Sequence, residues 1–232
     1  TDPAMVRPFK GIKYTGEIEI LVNGHVRRAE CGDVLFTEYG LSGPPVLQLS
    51  RIAASAFAQK RKPEVCARLH LLPLTKADVL DILKARQHAF PTRPLENFLT
   101  GLVNKRVGQM LVKWTCSLPL SEPAGTLTES QLSALSEILT GWTLEITGTQ
   151  GFEQAQVTAG GINGREIDPN TMESLLANGL YLTGELLDID GDCGGFNLQW
   201  AWASGMLAGK SAAQSLRPCL RTALSHQGRT AP

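Results

Sequence analysis

A hairpin pattern near the start of the chain constrains the fold more than any other feature. The run Glu17-Ile-Glu-Ile-Leu-Val alternates polar and apolar side chains, as a strand with one buried face does. Asn23-Gly24, a pair that favours a two-residue type I′ turn, follows it, and Val26 resumes the strand pattern. Residues 16–31 are therefore predicted to form a β-hairpin, and the chain must build a sheet around it.

Helix signals follow this β region. Ser42 is a candidate N-cap, with Pro44 or Pro45 in the first turn of the helix that it would begin. Thr75 is predicted to cap a second helix. Thr128 and Gln131 have the spacing of a capping box at the start of a third. Further helices are predicted over 95–102 and 103–114, so the middle of the chain is expected to be mainly helical.

Strand patterns precede and follow this helical part. They predict a third strand over 33–39 and later strands over 142–148, 152–158 and 179–183. From Phe196 to about Leu216 an alanine-rich run predicts a long helix, with Leu198, Trp202 and Met206 at core spacing and Leu207 as a further candidate. The tail, residues 217–232, is expected to fray.

Charge and cysteine usage limit the classes of function. The 22 basic and 22 acidic residues cancel, so net charge gives no reason to expect binding to nucleic acid or to a membrane surface. Five cysteines, an odd number without a Cys-x-x-Cys pair, are typical of a reducing compartment. Because no apolar run approaches the ~20 residues of a membrane helix, we expect a cytoplasmic protein without a membrane partner.

An acid-rich loop precedes the last predicted helix. Asp188, Asp190 and Asp192 have the spacing that opens an EF-hand calcium loop. Cys193 stands where that loop requires glycine, and Gln199 stands where it requires a bidentate glutamate. We therefore predict no metal site, with calcium binding and plain solvation of the loop kept as alternatives. The four histidines, at positions 25, 70, 88 and 226, suggest no nucleophile or metal arrangement either.

A glycine pair, Gly194-Gly195, stands directly before the long helix. The first N–H groups of a helix have no partner within it, and the helix dipole favours negative charge at that end. A pyrophosphate or the carbonyl edge of an isoalloxazine ring would suit such a place, and the upstream acids could accept hydrogen bonds from sugar-like hydroxyls. The alternative is that each glycine only allows a tight turn.

Several ordered motifs resemble one known family. They are Leu35-Phe-Thr-Glu-Tyr-Gly-Leu-Ser-Gly-Pro-Pro, Thr158-Ala-Gly-Gly-Ile, Gly179-Leu-Tyr-Leu-Thr-Gly-Glu-Leu-Leu-Asp-Ile-Asp-Gly and Cys193-Gly-Gly-Phe-Asn-Leu-Gln-Trp-Ala-Trp. Over roughly residues 9–212 the chain is similar to the bacterial FAD-dependent oxidoreductases of the BaiN-like, or aminoacetone-oxidase-like, family. The resemblance implies a flavoprotein whose FAD domain is interrupted by a second domain.

That resemblance implies an α+β fold: a β-barrel-like domain with a helical insert, followed by the C-terminal segment of a two-dinucleotide-binding-type FAD domain. The implied boundaries are 6–58 and 141–158 for the barrel-like domain, 59–140 for the insert and 159–216 for the FAD-domain segment. Thr1-Asp-Pro-Ala before Met5 is typical of a cloning remnant, so residues 1–5 are left out of this division.

The resemblance also implies cofactor contacts. Glu185, next to Gly184, would meet the ribityl hydroxyls, and the start of the long helix would present its amides to the flavin pyrimidine edge. For Trp200 and Trp202, core packing is favoured over flavin stacking. The implied FAD-binding residues are Ala159, Gly160, Gly161, Gly184, Glu185, Gly194, Gly195, Phe196 and Asn197.

One family feature is missing. FAD domains of this kind hold the pyrophosphate with Gly-x-Gly-x-x-Gly, which occurs nowhere in the 232 residues. We therefore expect the middle and C-terminal portion of an oxidoreductase acting on a small organic molecule, with NAD(P)H as a candidate electron donor. By itself the chain is expected to lack activity, and FAD is expected in the full-length protein, with FAD binding by the chain alone left open. The alternative is a naturally short, non-enzymatic binding or scaffold module that uses the basic segment around Lys60 to Arg68.

Overall fold

The computed structural model describes the backbone of residues 1–227, and the side chains of these residues except Pro3 and 217–227. The chain divides into two compact units, Thr1–Thr149 and Gln150–Pro232. The first short helix, α1 (Pro3–Val6), includes residues predicted to be a cloning remnant, and it buries Val6. Residues 228–232 of the tail that was predicted to fray lie outside the described residues.

A five-stranded antiparallel sheet forms the centre of the first unit. Its strands are β1 (Lys13–Val22), β2 (His25–Phe36), β3 (Leu41–Ser42), β4 (Val65–His70) and β5 (Trp142–Glu145), in the order β3-β2-β1-β4-β5. The predicted hairpin is present as β1 and β2. Asn23 and Gly24 turn between them with φ of 51° and 76°, the left-handed backbone that a type I′ turn needs.

Two strand assignments differ from the sequence pattern. The predicted third strand over 33–39 is not separate, because β2 continues without a break to Phe36. The strand β4 falls inside the predicted helical insert, yet it pairs with both β1 and β5 and so connects the edge strand β5 to the hairpin. This strand is only six residues long, with alternating burial, and predicted helices lie on both sides of it. Such a short pattern was not recognised as a strand.

Four helices of the first unit are α2 (Pro44–Phe57), α3 (Lys76–Ala89), α4 (Lys105–Cys116) and α5 (Glu129–Gly141). The predicted caps of α3 and α5 are confirmed: Thr75 forms a capping box with Asp78, and Thr128 forms one with Gln131. The cap of α2 is Gly43 instead of Ser42. Gly43 has φ of 108°, and a Cβ there would lie 2.1 Å from the carbonyl oxygen of Asp33, so only glycine fits. The predicted helix over 95–102 is a single 3₁₀ turn, Leu95–Asn97.

The core of the first unit is built around four aromatic rings. Phe9 packs edge to face on Trp114 and on Trp142, each with ring centroids 5.3 Å apart, and Phe36 stacks on Trp142 at 5.8 Å. Such pairs add to the free energy gained by burying their large apolar area. Leucines of α3, α4 and α5 continue the same buried cluster. The sheet and its helices therefore share one hydrophobic core.

The second unit has little regular structure before its last helix. The predicted strand over 152–158 is wrong, since Phe152–Gln154 is a 3₁₀ turn and the residues after it form no strand. The predicted strand over 179–183 is reduced to one bridge, between Tyr181 and Glu173. The helix α6 (Phe196–Gln227) begins where the sequence predicts and runs past the predicted end at Leu216.

Of the four residues predicted to face the core from α6, only Leu207 packs against the core of the second unit. Leu198, Trp202 and Met206 are 63%, 64% and 77% exposed. Ser204 and Ala208 are buried instead, and Trp200 and Leu207 pack against the unit's small core. Residues 200, 204, 207 and 208 share one helical stripe, as the predicted residues do, so periodicity alone could not choose between the stripes.

The two units together are α+β, as predicted, with a curled antiparallel sheet in the first. In the part of the chain that the structure describes, no helix has the length and hydropathy needed to cross a membrane.

Candidate functional site

The first predicted cofactor segment, residues 158–162, lies beside residues 184–188 of the second unit. The Ile162 N–H donates to the Leu186 carbonyl at 2.9 Å, and the Asp188 N–H donates to the Ile162 carbonyl at 2.9 Å. Gly161 has φ of 150°, and a Cβ there would lie 2.6 Å from the Leu186 oxygen. The backbone contact itself therefore requires glycine at position 161. Gly160 differs, because a Cβ there would meet nothing within 4 Å.

Two acids of the neighbouring segment hold this loop. The Glu185 Oε1 accepts a hydrogen bond from the Thr158 N–H at 2.7 Å, and the Asp188 Oδ1 accepts one from the Gly160 N–H at 3.0 Å. Glu185 is exposed, so its other carboxylate oxygen can still face a ligand hydroxyl. The acids thus shape the 158–160 backbone, a role that the sequence pattern did not indicate.

Both backbone polar groups of Gly184, its N–H and its carbonyl, form hydrogen bonds with side chains of α6. Its N–H donates to the Ser204 Oγ at 3.0 Å, and its carbonyl accepts from the Trp200 Nε1 at 3.0 Å. The Ser204 hydroxyl in turn donates to the Trp200 carbonyl at 2.7 Å. Sequence reasoning missed Ser204 and favoured core packing for Trp200. Their i, i+4 spacing on α6 was the available signal.

The start of α6 keeps its backbone open. Gly194 and Gly195 have φ of 127° and 92°, and a Cβ at Gly195 would meet nothing within 4 Å. The Gln199 N–H donates to the Gly195 carbonyl at 3.0 Å, so the N–H groups of residues 196–198 precede the hydrogen bonds of the helix itself. They lie at the positive end of the helix dipole, which favours an anionic or carbonyl group.

The Asn197 side chain bonds to the loop that precedes the helix. Its Oδ1 accepts from the Gly191 N–H at 2.7 Å, and its Nδ2 donates to the Gly191 carbonyl at 3.1 Å. Asn197 therefore closes the loop that contains Gly194 and Gly195 and orients the start of the helix. Phe196 is exposed beside it.

The acid-rich loop does not have the arrangement of a calcium-binding EF-hand. Its first acid, Asp188, is engaged by the Gly160 N–H, and the segment before it is a 3₁₀ turn, Gly184–Leu186, where an EF-hand has a helix.

The residues at the start of α6 fit the carbonyl edge of a flavin. The N–H groups of the first helical turn can donate to such a ring, the space at Gly195 lets it approach, and the exposed Glu185 carboxylate can accept a hydrogen bond from its ribityl chain. A Gly-x-Gly-x-x-Gly for the pyrophosphate is not among the 232 residues. The residues present therefore fit the ring edge of a flavin, and the pyrophosphate motif is not among them.

Comparison with known proteins agrees with the motifs. Residues 1–157 match the family model for the barrel and H2TH domain of HI0933-like proteins. A 3-dehydro-bile acid delta(4,6)-reductase of Clostridium scindens is 38% identical over 205 residues, which are 88% of this chain and 49% of that protein.

Two further relatives carry another name. Ribosomal RNA dihydrouridine synthases of Escherichia coli and Haemophilus influenzae are 36% and 32% identical over 182 and 171 residues. These alignments cover 78% and 74% of this chain, and 42% and 40% of the relatives. The chain thus spans less than half the length of each of these three relatives. The matched model and these relatives show that the chain belongs to the BaiN-like, HI0933-like family of flavoprotein oxidoreductases.

Proposed function

We propose that the chain is the barrel-like domain, the helical insert and the last FAD-domain segment of a cytoplasmic FAD-dependent oxidoreductase. The start of α6 carries this proposal, because Gly194 and Gly195 leave its first N–H groups open to a ligand. The relatives are about twice as long as the chain, which supports a pyrophosphate site supplied by residues outside it. The chain alone would then be inactive.

The reaction class follows from what the relatives' names share. A delta(4,6)-reductase and a dihydrouridine synthase both add two hydrogens across a carbon–carbon double bond. Bound flavin, reduced by NAD(P)H, would supply the hydride for such a reaction. In this chain, the N–H groups of Phe196 and Leu198 would hold the flavin carbonyl edge, and the helix dipole would stabilise negative charge that develops there. Glu185 would accept a hydrogen bond from a ribityl hydroxyl.

A small organic molecule is the proposed substrate. The relative named for a bile-acid substrate matches over the greater share of this chain, and the chain's net charge is zero.

The test is visible absorbance of two proteins: the 232-residue chain with and without added FAD, and the full-length gene product. We expect the full-length protein to purify with bound flavin and the chain to retain none after gel filtration. Gly195→Leu in the full-length protein should lower the flavin content, whereas Gly148→Leu, in open space in the first unit, should not. A coding sequence that starts at Met5 would favour the scaffold alternative. Full flavin retention in Gly195→Leu would count against the role given to Gly195.

Ribosomal RNA is a second candidate substrate. The two dihydrouridine synthases favour it, as does the exposed basic segment Lys60, Arg61 and Lys62 between α2 and β4. Measuring dihydrouridine in ribosomal RNA from strains with and without the full-length gene separates the candidates. If dihydrouridine is lost when the gene is deleted, ribosomal RNA is the substrate, and the small-molecule proposal is wrong.

A further inference from the structure

Three potential metal ligands meet on the outer face of the sheet in the first unit. Glu17 and Glu19 lie on β1, and His70 lies on β4, directly opposite Glu17 in the antiparallel register. Side chains alternate along a strand, so these three share the face opposite to the buried Ile18 and Leu69. Residues more than fifty positions apart in sequence are thereby placed side by side.

The distances within this group are unusual for simple hydrogen bonding. The His70 Nε2 lies 3.4 Å from the Glu19 Oε2 and 3.8 Å from the Glu17 Oε1. It is shielded from solvent and has no hydrogen-bond partner. In an N–H···O hydrogen bond the nitrogen and oxygen atoms are about 2.7–3.2 Å apart. The His70 ring nitrogen is therefore too far from either carboxylate oxygen for a normal hydrogen bond. A buried polar atom left in this way costs free energy unless something else satisfies it.

A metal ion would satisfy all three groups. Zinc binds imidazole nitrogen and carboxylate oxygen at about 2.0–2.2 Å, and in a tetrahedron such bonds place two ligand atoms about 3.4 Å apart. One ligand atom from each of the three residues lies within 4.8 Å of the others. We propose that Glu17, Glu19 and His70 form a binding site for a divalent transition-metal ion of the zinc type, with water in the fourth position.

The chemistry of the group decides which ion it suits. Two carboxylates balance the charge of a divalent ion, and an imidazole ligand favours zinc and its neighbours over calcium or magnesium, which prefer oxygen ligands. Arg68 donates to the Glu19 Oε2 at 3.0 Å and so orients that carboxylate from outside the site. Its positive charge also opposes the bound ion, so we expect moderate affinity.

Metal bound here would join β1 to β4 and would stabilise the folded sheet, because the unfolded chain does not hold the three ligands together. This role is independent of flavin binding, since all three ligands lie in the first unit, and the proposed flavin contacts lie in the second.

The experiment is a titration of the 232-residue chain with Co²⁺, followed by visible absorption, and with Zn²⁺, followed by calorimetry and by the melting temperature. We expect one site with nitrogen and oxygen ligation, a raised melting temperature with Zn²⁺, and no effect of Mg²⁺ or Ca²⁺ at the same concentration. A thiolate charge-transfer band would place the ion on cysteine and would overturn the proposal, as would the absence of binding.

Matched variants locate the site. His70→Ala and Glu17→Gln should each weaken Zn²⁺ binding by at least about 100-fold, the upper end of what loss of an outer partner of a metal site costs. His25→Ala removes an exposed histidine at the start of β2 and should bind as the unchanged chain does. Glu17→Gln keeps the side-chain volume, so it tests the ligand even if His70→Ala fails to fold. Equal affinity in Glu17→Gln and the unchanged chain would refute the site.

Discussion

The first unit encloses the rings of Phe9, Phe36 and Trp142 between its sheet and its helices, whereas the described part of the second unit buries a cluster of only four residues. In the second unit, Trp202 and Met206 of α6 stay exposed. Backbone hydrogen bonds and polar side chains hold its loops to each other and to α6. The comparison teaches that apolar burial is the main source of stability in the first unit. In the second unit, backbone conformation and polar hydrogen bonds contribute a larger share of the stability.

The largest expected effect comes from deleting a buried tryptophan. Trp142→Ala should lower the free energy of unfolding of the first unit by about 3–5 kcal/mol, because it empties the centre of the aromatic cluster. Urea unfolding followed by circular dichroism measures the change. Trp202→Ala in α6 is the matched control and should change stability by less than about 0.5 kcal/mol. If both variants lose the same free energy of unfolding, the proposed difference between the two units is wrong.

The second effect tests backbone conformation in the second unit. Gly161→Ala would place a Cβ 2.6 Å from the Leu186 oxygen and 2.8 Å from the Asp188 nitrogen. We expect a loss of about 3 kcal/mol, the upper end of the range for strained backbone. Amide exchange at Ile162 and Asp188 should accelerate accordingly. Gly148→Ala, which meets nothing within 4 Å, should exchange normally, and normal exchange in both variants would contradict the role given to Gly161.

A smaller effect tests the polar link between Gly184 and α6. Ser204→Ala leaves the buried Gly184 N–H without its acceptor, which should cost about 1–2 kcal/mol. Exchange of the Gly184 amide measures the loss. Ser215→Ala removes an exposed hydroxyl that bonds only to the Ala212 carbonyl, so a change below about 0.5 kcal/mol is expected. If Ser204→Ala behaves like Ser215→Ala, the link contributes little.

The smallest effect is a pH dependence in the second unit. The Asn170 N–H bound to Asp168 at 2.9 Å is the main cause that lowers the pKa of this carboxyl below its usual value. Because the folded-state pKa is the lower one, the stabilisation is present above the unfolded-state pKa and is lost as pH falls through the folded-state pKa. Exchange at Asn170 should therefore show weaker protection in acid, once corrected for intrinsic rates. Asp168→Asn should abolish this pH dependence, and an unchanged dependence would exclude Asp168 as its source.

Much of the first unit could be predicted from local sequence. The turn at Asn23-Gly24 and the caps at Thr75 and Thr128 depend on residues no more than three or four positions apart, and all three are confirmed. The strand β4 was missed because its six residues are stabilised by pairing with β1 and β5, which a local pattern does not contain.

The candidate site shows the same limit. The sequence placed a glycine pair at the start of α6, and the structure leaves that helix end open. It could not separate Gly160 from Gly161, because only the approach of residues 186–188 makes glycine necessary at position 161. The sequence pattern also placed Trp202 at core spacing, whereas Trp200 is the one that faces inward. Both lie on apolar stripes of α6, and only the contact with Gly184 decides between them.

The sequence by itself determined the family, the hairpin and the starts of α3, α5 and α6, because motifs and caps are short-range features. The tertiary structure alone decided that His70 meets Glu17 and Glu19, since that meeting depends on strand register between distant segments. It also decided which stripe of α6 is buried in the second unit. In each case, free energy from long-range packing and pairing selects among conformations that the local sequence allows equally.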